Sequence, residues 1–426
     1  MLDRTPPARD HDGFARVAAL LPRWSEIPLY RARQPRLDSI PNADCPRCAF
    51  EDLPFVTKRD MRERFPDNFL LPDQALDHLL DRNLVELEYT SGTSEERVQV
   101  LLGRDWWSTQ ERAALRLNRT VAQILEAFPE ARRATLTTPT CNGLVCDSAA
   151  RQRSERTHGT TLYVNRARIP FLQPEAELAR MAAEIAEWAP QFLDLDPVHG
   201  AWFARYCERQ GLRFPSLQFI VASYEFVSVV HRRILERVFR VPVFNLYGST
   251  ETGHLLMEDE RGRMQPSREH AYLETVDRDA GGVGDLVVTT LTNDYMPLLR
   301  YRIGDLVQPT AEGHIVHGRR RDALRGAHNR RVTTWDVDAC FAGLDGILHY
   351  QVRQDAGGRC SVKFLPDGPG PGAQSLQTLT IRLQELLGCG VPPAVTAVDL
   401  LPPTPSGKFR LTLGVETDSP QRAPVQ

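Results

Sequence analysis

Lysine is almost missing from this chain. Of its 52 lysine and arginine residues, the only lysines are Lys58, Lys363 and Lys408. A lysine here is therefore not a generic surface residue, and each one asks for a reason. An excess of either charge is also missing: 52 basic residues face 55 acidic ones, for a net charge of −3. That balance excludes a global electrostatic attraction to nucleic acid. No uncharged apolar run reaches the roughly 18 residues that a membrane span needs. The opening MLDRTPPARDHDGF has no basic stretch followed by an apolar one, as a secretory leader would. A cytoplasmic chain is expected, with its eight cysteines reduced. No Gly-Lys-Ser/Thr follows a glycine-rich loop, which excludes the P-loop of kinases and GTPases. No internal repeat is visible, which excludes a solenoid. Cys45 and Cys48 form a lone Cys-x-x-Cys, short of the four ligands of a structural zinc site.

At 426 residues the chain exceeds one compact domain, and two or three units are expected. The stretch up to about Leu80 mixes short helical patterns with proline breaks. Residues 83–103 read as strand, polar loop, strand. A helical period follows over 105–127, with Leu115, Leu117, Val121 and Ile124 on one face. Residues 134–140 read as a strand running into a turn. A helix is expected over 177–193, a buried strand over 217–223, a helix over 230–239 and a second buried strand over 241–248. Strands alternating with helices at this spacing indicate an α/β fold with a largely parallel sheet. From 283 to 318 the pattern changes to strands and turns, and a smaller unit begins near Arg319.

Five short segments carry groups suited to chemistry. In EYTSGTSEER (88–97), hydroxyls and glycine N–H groups can cradle phosphate oxygens, although such a cluster is also an ordinary turn. FNLYGSTETGH (244–254) ends a buried strand, the place where α/β sheets bind ligands. There Tyr247 can stack on a base, Thr250 can bond a phosphate, and Glu251 can hold Mg²⁺, a hard cation that favours carboxylate oxygen. The bland alternative is a plain strand-to-loop turn. In RYRIGDLV (300–307), an aspartate in a glycine turn can accept both hydroxyls of a ribose, or can simply be solvated. GRRRDALRG (318–326) is either a hinge or a basic surface loop. LPPTPSGKFR (401–410) places Lys408 at the tip of a Gly407 turn, where a lysine can bring charge onto a transferring phosphate.

The order of the five segments closely resembles that of the acyl-adenylate-forming superfamily: acyl-CoA synthetases, luciferases and peptide-synthetase adenylation domains. The chain's short length, together with IPLYRAR (27–33) and LPFVTKRDMRERFP (53–66), resembles the phenylacetate-CoA ligase-like branch. Lys58 falls in the second of these segments, where a structural role is expected of it. The resemblance implies a large N-terminal AMP-binding domain over 1–321, with mostly parallel sheets and a β-rich subdomain. A small mobile α+β lid would occupy 322–416, turning on Asp322, and a disordered tail 417–426.

The resemblance also implies roles. Thr90, Ser91, Gly92, Thr93 and Ser94 would bind the β- and γ-phosphates of ATP. Ser223, Tyr224, Glu225, Tyr247 and Gly248 would line the adenine and acyl pockets, with Thr250 near the α-phosphate and Glu251 on Mg²⁺. Asp305, helped by Arg319, would bind the ribose. Lys408 would contact the reacting carboxylate. Cys141, Asn142, Gly143, Leu144, Phe226 and His254 would surround the acid, for which an aromatic or amino-aromatic compound is expected. The implied reaction joins the acid to AMP, releases pyrophosphate and passes the acyl group to CoA. The alternatives are transfer to an amine or a carrier protein, or activation of an oxyanion such as nitrite, in a natural-product pathway. An alternative of another class is a non-catalytic binding protein. A homodimer is left open.

Three departures from the family pattern stand out. Glu95, Glu96 and Arg97 replace the usual Gly-x-Pro of the phosphate loop, and carboxylates there are unfavourable beside a triphosphate unless Arg97 pairs with them. His328 falls where many relatives carry glycine, and its bulk would hinder CoA. Met257 and Met264 take positions at which some members of the branch bind zinc, so no zinc is expected there.

Overall fold

A computed structural model describes residues 11–31, 34–71, 73–90, 97–137, 152–404 and 407–414. The phosphate-loop residues Ser91–Ser94 lie outside the described residues, as do Cys141–Leu144 of the expected acid pocket and the tail beyond 414.

The chain opens with short helices, from His11–Trp24 to Leu76–Asp81. They bury Trp24, Tyr30, Phe50 and Met61 in a shared core with an antiparallel hairpin. The hairpin consists of β1 (Val85–Tyr89) and β2 (Gln99–Gly103), with Tyr89 opposite Gln99.

The principal sheet comprises β3 (Arg133–Leu136), β4 (Thr157–His158), β5 (Thr161–Tyr163), β6 (Phe192–Leu195), β7 (Phe219–Ala222), β8 (Val243–Ser249), β9 (Gly253–Glu258), β10 (Met264–Pro266), β11 (Ala271–Val276), β12 (Gly284–Thr290), β13 (Tyr301–Thr310) and β14 (Gly313–Arg319). Among the described residues these twelve strands run in the order 11-12-13-14-10-9-8-7-6-3-5-4. Strands β5, β3, β6, β7 and β8 are parallel. From β8 through β9 outward to β11 the pairing is antiparallel. The expected parallel sheet and β-rich unit are thus one continuous sheet. Helices Glu175–Trp188, Pro197–Arg209 and Val229–Phe239 cover one face of the parallel half, burying Ile185, Phe203 and Ile234. Helices Trp106–Leu115 and Arg119–Ala127 cover the other, against Phe192, Phe219 and Phe244.

The final unit contains the small pair β15 (Leu324–Arg325) and β16 (Arg331–Val332). It also holds a sheet of β17 (Ile347–Gln354), β18 (Cys360–Pro366), β19 (Ala394–Ala397) and β20 (Thr412–Leu413) in the order 19-18-17-20. Its Tyr350, Val352 and Phe409 share a core with Ile234 and Phe203 of the large unit. A buried histidine pair, His231 Nε2 and His349 Nδ1 at 3.1 Å, crosses that contact.

Four sequence expectations need correction. The single helix over 105–127 is two, because Asn118 starts a new one: its Oδ1 accepts from Val121 N at 2.9 Å while its Nδ2 donates to Glu258 O at 2.9 Å. The helix over 177–193 spans Glu175–Trp188, stopped by Ala189 in the left-handed region (φ 48) and then Pro190, and its expected tail runs into β6. Asp305 sits within β13 rather than in a turn after a strand; Gly304 (φ 92) marks an irregular register there, which keeps the strand pairing on both sides. Cys45 and Cys48 are not both reduced: they form a disulfide, with Cys45 capping the helix Pro46–Glu51.

Candidate active site

The C-terminal ends of the parallel strands, the β1–β2 hairpin and the loop holding Lys408 enclose a cleft of about 1790 Å³. The strand-end position follows from topology, since adjacent parallel strands leave their carboxyl ends open to a ligand.

On the first wall, β8 ends in a bulge between Tyr247 and Gly248. A Cβ on Gly248 would lie 2.1 Å from the Gly253 carbonyl oxygen, so only glycine allows the chain to turn here. The turn sets Thr250 and Glu251 on the cleft wall. Glu251 is 4% exposed, and its Oε1 accepts from Tyr301 Oη at 3.0 Å and faces Lys58 Nζ at 3.3 Å. Burial would raise its carboxyl; the Lys58 ammonium and the hydrogen bonds from Ser249 and Tyr301 outweigh that and hold it below the usual carboxylate range.

Asp305 lies opposite. Its Oδ2 accepts from Tyr247 Oη at 2.6 Å, and its Oδ1 is 3.7 Å from Arg319 Nε. The cross-strand register pairs Asp305 with Arg319 directly. Both line the cleft. Tyr247 does not; its ring packs beside Leu255 and Leu256 and its hydroxyl orients Asp305. Thr90 lines the cleft, and its Oγ1 accepts from Val98 N at 3.0 Å, closing the mouth of the hairpin.

Lys408 reaches the same cleft from the C-terminal unit. Its loop is a closed turn: Thr404 N donates to Lys408 O at 2.8 Å, and Gly407 takes φ 88. Phe409 N donates to Glu225 Oε1 at 2.7 Å, and the Phe409 ring is buried against Phe171 and His349. Glu225 thus anchors the lysine loop. Burial and the neighbouring Asp196 carboxylate push its own carboxyl up, against the pull of Lys408.

The third region is the acid end. Ser223 and Tyr224 follow β7, and both hydroxyls donate to Asp194, at 2.9 and 2.7 Å. Glu111 pairs with Arg133 at 2.8 Å. Burial would raise the Glu111 carboxyl, but Arg133 and His254 bring it down to about 2. His254 stacks edge-on against Trp107, with centroids 4.9 Å apart. Phe226 packs into the core under the cleft instead of lining it.

The structure therefore gathers Thr90, Thr250, Glu251, Asp305, Arg319, Lys408, Ser223, Tyr224 and His254 around one cleft. It adds groups that the sequence pattern did not single out: Asp194, Glu111, Arg133 and Trp107. It also moves Lys58 from a structural position to the cleft wall. The scarcity of lysine was the one signal that could have found Lys58. His328 is exposed with φ 53, the conformation that suits glycine, and lies outside the cleft lining.

No protein-family model matches the chain. Over 199 residues it is 28% identical to the phenylacetate-coenzyme A ligase of Thermus thermophilus, covering 41% of this chain and 44% of that protein. Over 206 residues it is 23% identical to Protein CapK of Staphylococcus aureus, covering 46% of each. The matched stretches span less than half the length of either relative. Among solved structures, 2-hydroxyisobutyryl-CoA ligase in complex with 2-HIB-AMP aligns over 97% of this chain and 90% of its own, at 17% identity and a TM-score of 0.67. That likeness concerns the fold; the partial matches in sequence add a similarity to a phenylacetate-coenzyme A ligase over less than half of the chain.

Proposed function

We propose that this protein uses ATP to convert a carboxylic acid, an aromatic one, into an acyl-adenylate and then transfers the acyl group to CoA. The observation that carries the proposal is the meeting of Thr90, Thr250, Glu251, Asp305, Arg319 and Lys408 in one cleft from five separate stretches of chain. In the first step a carboxylate oxygen bonds to the α-phosphorus, and the bond from that phosphorus to the bridging oxygen of pyrophosphate breaks. Both reactants are anions, so the site must supply positive charge where charge builds up. Lys408 suits that role, with Lys58 also on the cleft wall beside Glu251. Asp305 and Arg319 suit the ribose hydroxyls. Thr90 and Thr250 suit phosphate oxygens, together with the hydroxyl cluster Ser91–Ser94 that lies outside the described residues.

The donor set fits Mg²⁺ bound through ATP. One buried carboxylate, Glu251, faces the cleft, and this ion commonly takes one or two carboxylates together with substrate phosphates and water. When bound, the ion would neutralise phosphate charge. Trp107 and Tyr224 offer flat surfaces for an aromatic acid. The cleft mouth is lined by Arg320, Arg321, Arg325, Arg330 and Arg331, which favours an acceptor rich in phosphate, as CoA is. The segment from Asp322 onward would act as a lid carrying Lys408.

ATP–pyrophosphate exchange against a panel of aromatic acids tests the adenylation step. Acid-dependent exchange that is lost in Lys408→Ala supports it; no exchange with any acid would overturn it. Adenylation without thioester formation on adding CoA would move the acceptor to an amine or a carrier protein.

A further inference from the structure

Asp194 is a carboxylate in an unusual position. It sits in the middle of the parallel sheet, on β6, and is 6% exposed, yet it lines the cleft. Its two oxygens accept one hydroxyl each, from Ser223 and Tyr224. Neither donor carries charge. Among the described residues no cation lies within 4 Å of it, and Arg133 acts on it only from farther away while bonding Glu111 at 2.8 Å. Arg133 and Glu111 therefore compensate each other, and among the described residues Asp194 has no cation at ion-pair distance, while burial pushes its carboxyl up. A carboxylate has about four acceptor positions, so roughly two remain after the hydroxyls are counted. On the same wall, His254 Nε2 is buried without a hydrogen bond among the described residues and lies 3.8 Å from Glu111 Oε1. Burying an unpaired carboxylate is costly unless a partner arrives.

We infer that the acid activated in this cleft carries an amino group, and that Asp194 is the residue that receives it. A substrate ammonium would supply the missing counter-charge and fill the open acceptor positions. An amine-free analogue would leave the carboxylate unpaired on binding and be rejected for that reason. Ser223 and Tyr224 hold the carboxylate in place, which gives Tyr224 a reason to remain in the left-handed region (φ 70). The competing role for Asp194 is purely structural, pinning the Ser223–Tyr224 turn. That role would not discriminate between amine and methyl groups on a substrate.

The inference rests on the adenylation reading, and the experiment separates the two. Pyrophosphate exchange is measured for matched pairs: 4-(aminomethyl)benzoate with 4-ethylbenzoate, and phenylalanine with 3-phenylpropanoate. At least one amine member should exceed its partner about 10-fold or more in kcat/KM, the scale on which a site rejects analogues that leave its polar groups unpaired. In Asp194→Asn that preference should fall to within about 3-fold, through loss on the amine member alone. The wild-type selectivity needs no variant, so the test survives if Asp194→Asn fails to fold, which a thermal melt would show. Equal or better exchange with the amine-free acids, or a preference that persists in Asp194→Asn, overturns the inference and leaves adenylation standing. No exchange with any member overturns both.

Discussion

Where Thr90, Thr250, Asp305 and Lys408 meet, two inward-facing carboxylates have a cation close by: Lys58 is 3.3 Å from Glu251, and Arg319 is 3.7 Å from Asp305. At the acid end, Glu111 and Arg133 neutralise each other at 2.8 Å, while Asp194 has two hydroxyls and, among the described residues, no cation within 4 Å. One end sets cations beside its carboxylates and adds Lys408 from the C-terminal unit. The other holds one buried carboxylate, Asp194, with no cation at ion-pair distance among the described residues. Nucleotide chemistry is general, and its cations can sit in short motifs; acid recognition is particular, and here it depends on what the sheet buries.

That contrast can be broken most severely at Arg133. Arg133→Met leaves Glu111 buried without its cation, and a loss of about 3–5 kcal/mol in stability is expected, measured by urea unfolding. The pH dependence should invert as well. In the wild type, Glu111 is held at about 2 against an ordinary 4.5, so its stabilisation is complete above about pH 4.5 and is lost as pH falls toward 2. Without Arg133, burial raises the same carboxyl, and the variant should lose stability as pH rises instead.

Lys408→Ala should lower the rate of pyrophosphate exchange about 10²–10³-fold, the usual cost of one transition-state donor. Unfolding should be little changed, because the loop is anchored by Phe409. Lys58→Met should have a smaller effect, about 10-fold on exchange. It should also move the acid limb of the pH–rate profile upward, because Glu251 loses the cation that lowers its carboxyl. A profile that does not move would return Lys58 to a structural role. His328→Gly should be the mildest change. The residue is exposed and outside the cleft lining, so thioester formation should stay within about twofold, and stability within about 1 kcal/mol. A large gain in CoA transfer would mean that the imidazole does obstruct the acceptor.

Legibility followed the chemistry. The nucleotide end was readable because its groups sit in contiguous pieces: Tyr247–Glu251, Asp305 and Lys408 each lie within a few residues of a glycine. The acid end was not. Asp194 lies in a segment whose apolar spacing suggests the continuation of a helix, and only the left-handed Ala189 and Pro190 stop that helix in time for β6 to form. Glu111 sits on a helix whose period looks unbroken until Asn118 caps the next one. Arg133, at the start of a strand, looks like a charge at a solvent edge.

By itself, the sequence determined the alternation of strands and helices, the carboxylates and hydroxyls at strand ends, and the lysine at the end of a chain nearly free of lysine. Those features depend on local periodicity and on turns that only certain residues can make. Tertiary structure alone decided that Lys58 stands on Glu251 and that Arg133 is spent on Glu111 rather than Asp194. The charge state of a wall depends on distances between residues far apart in the chain, and burial sets how much each unpaired charge matters.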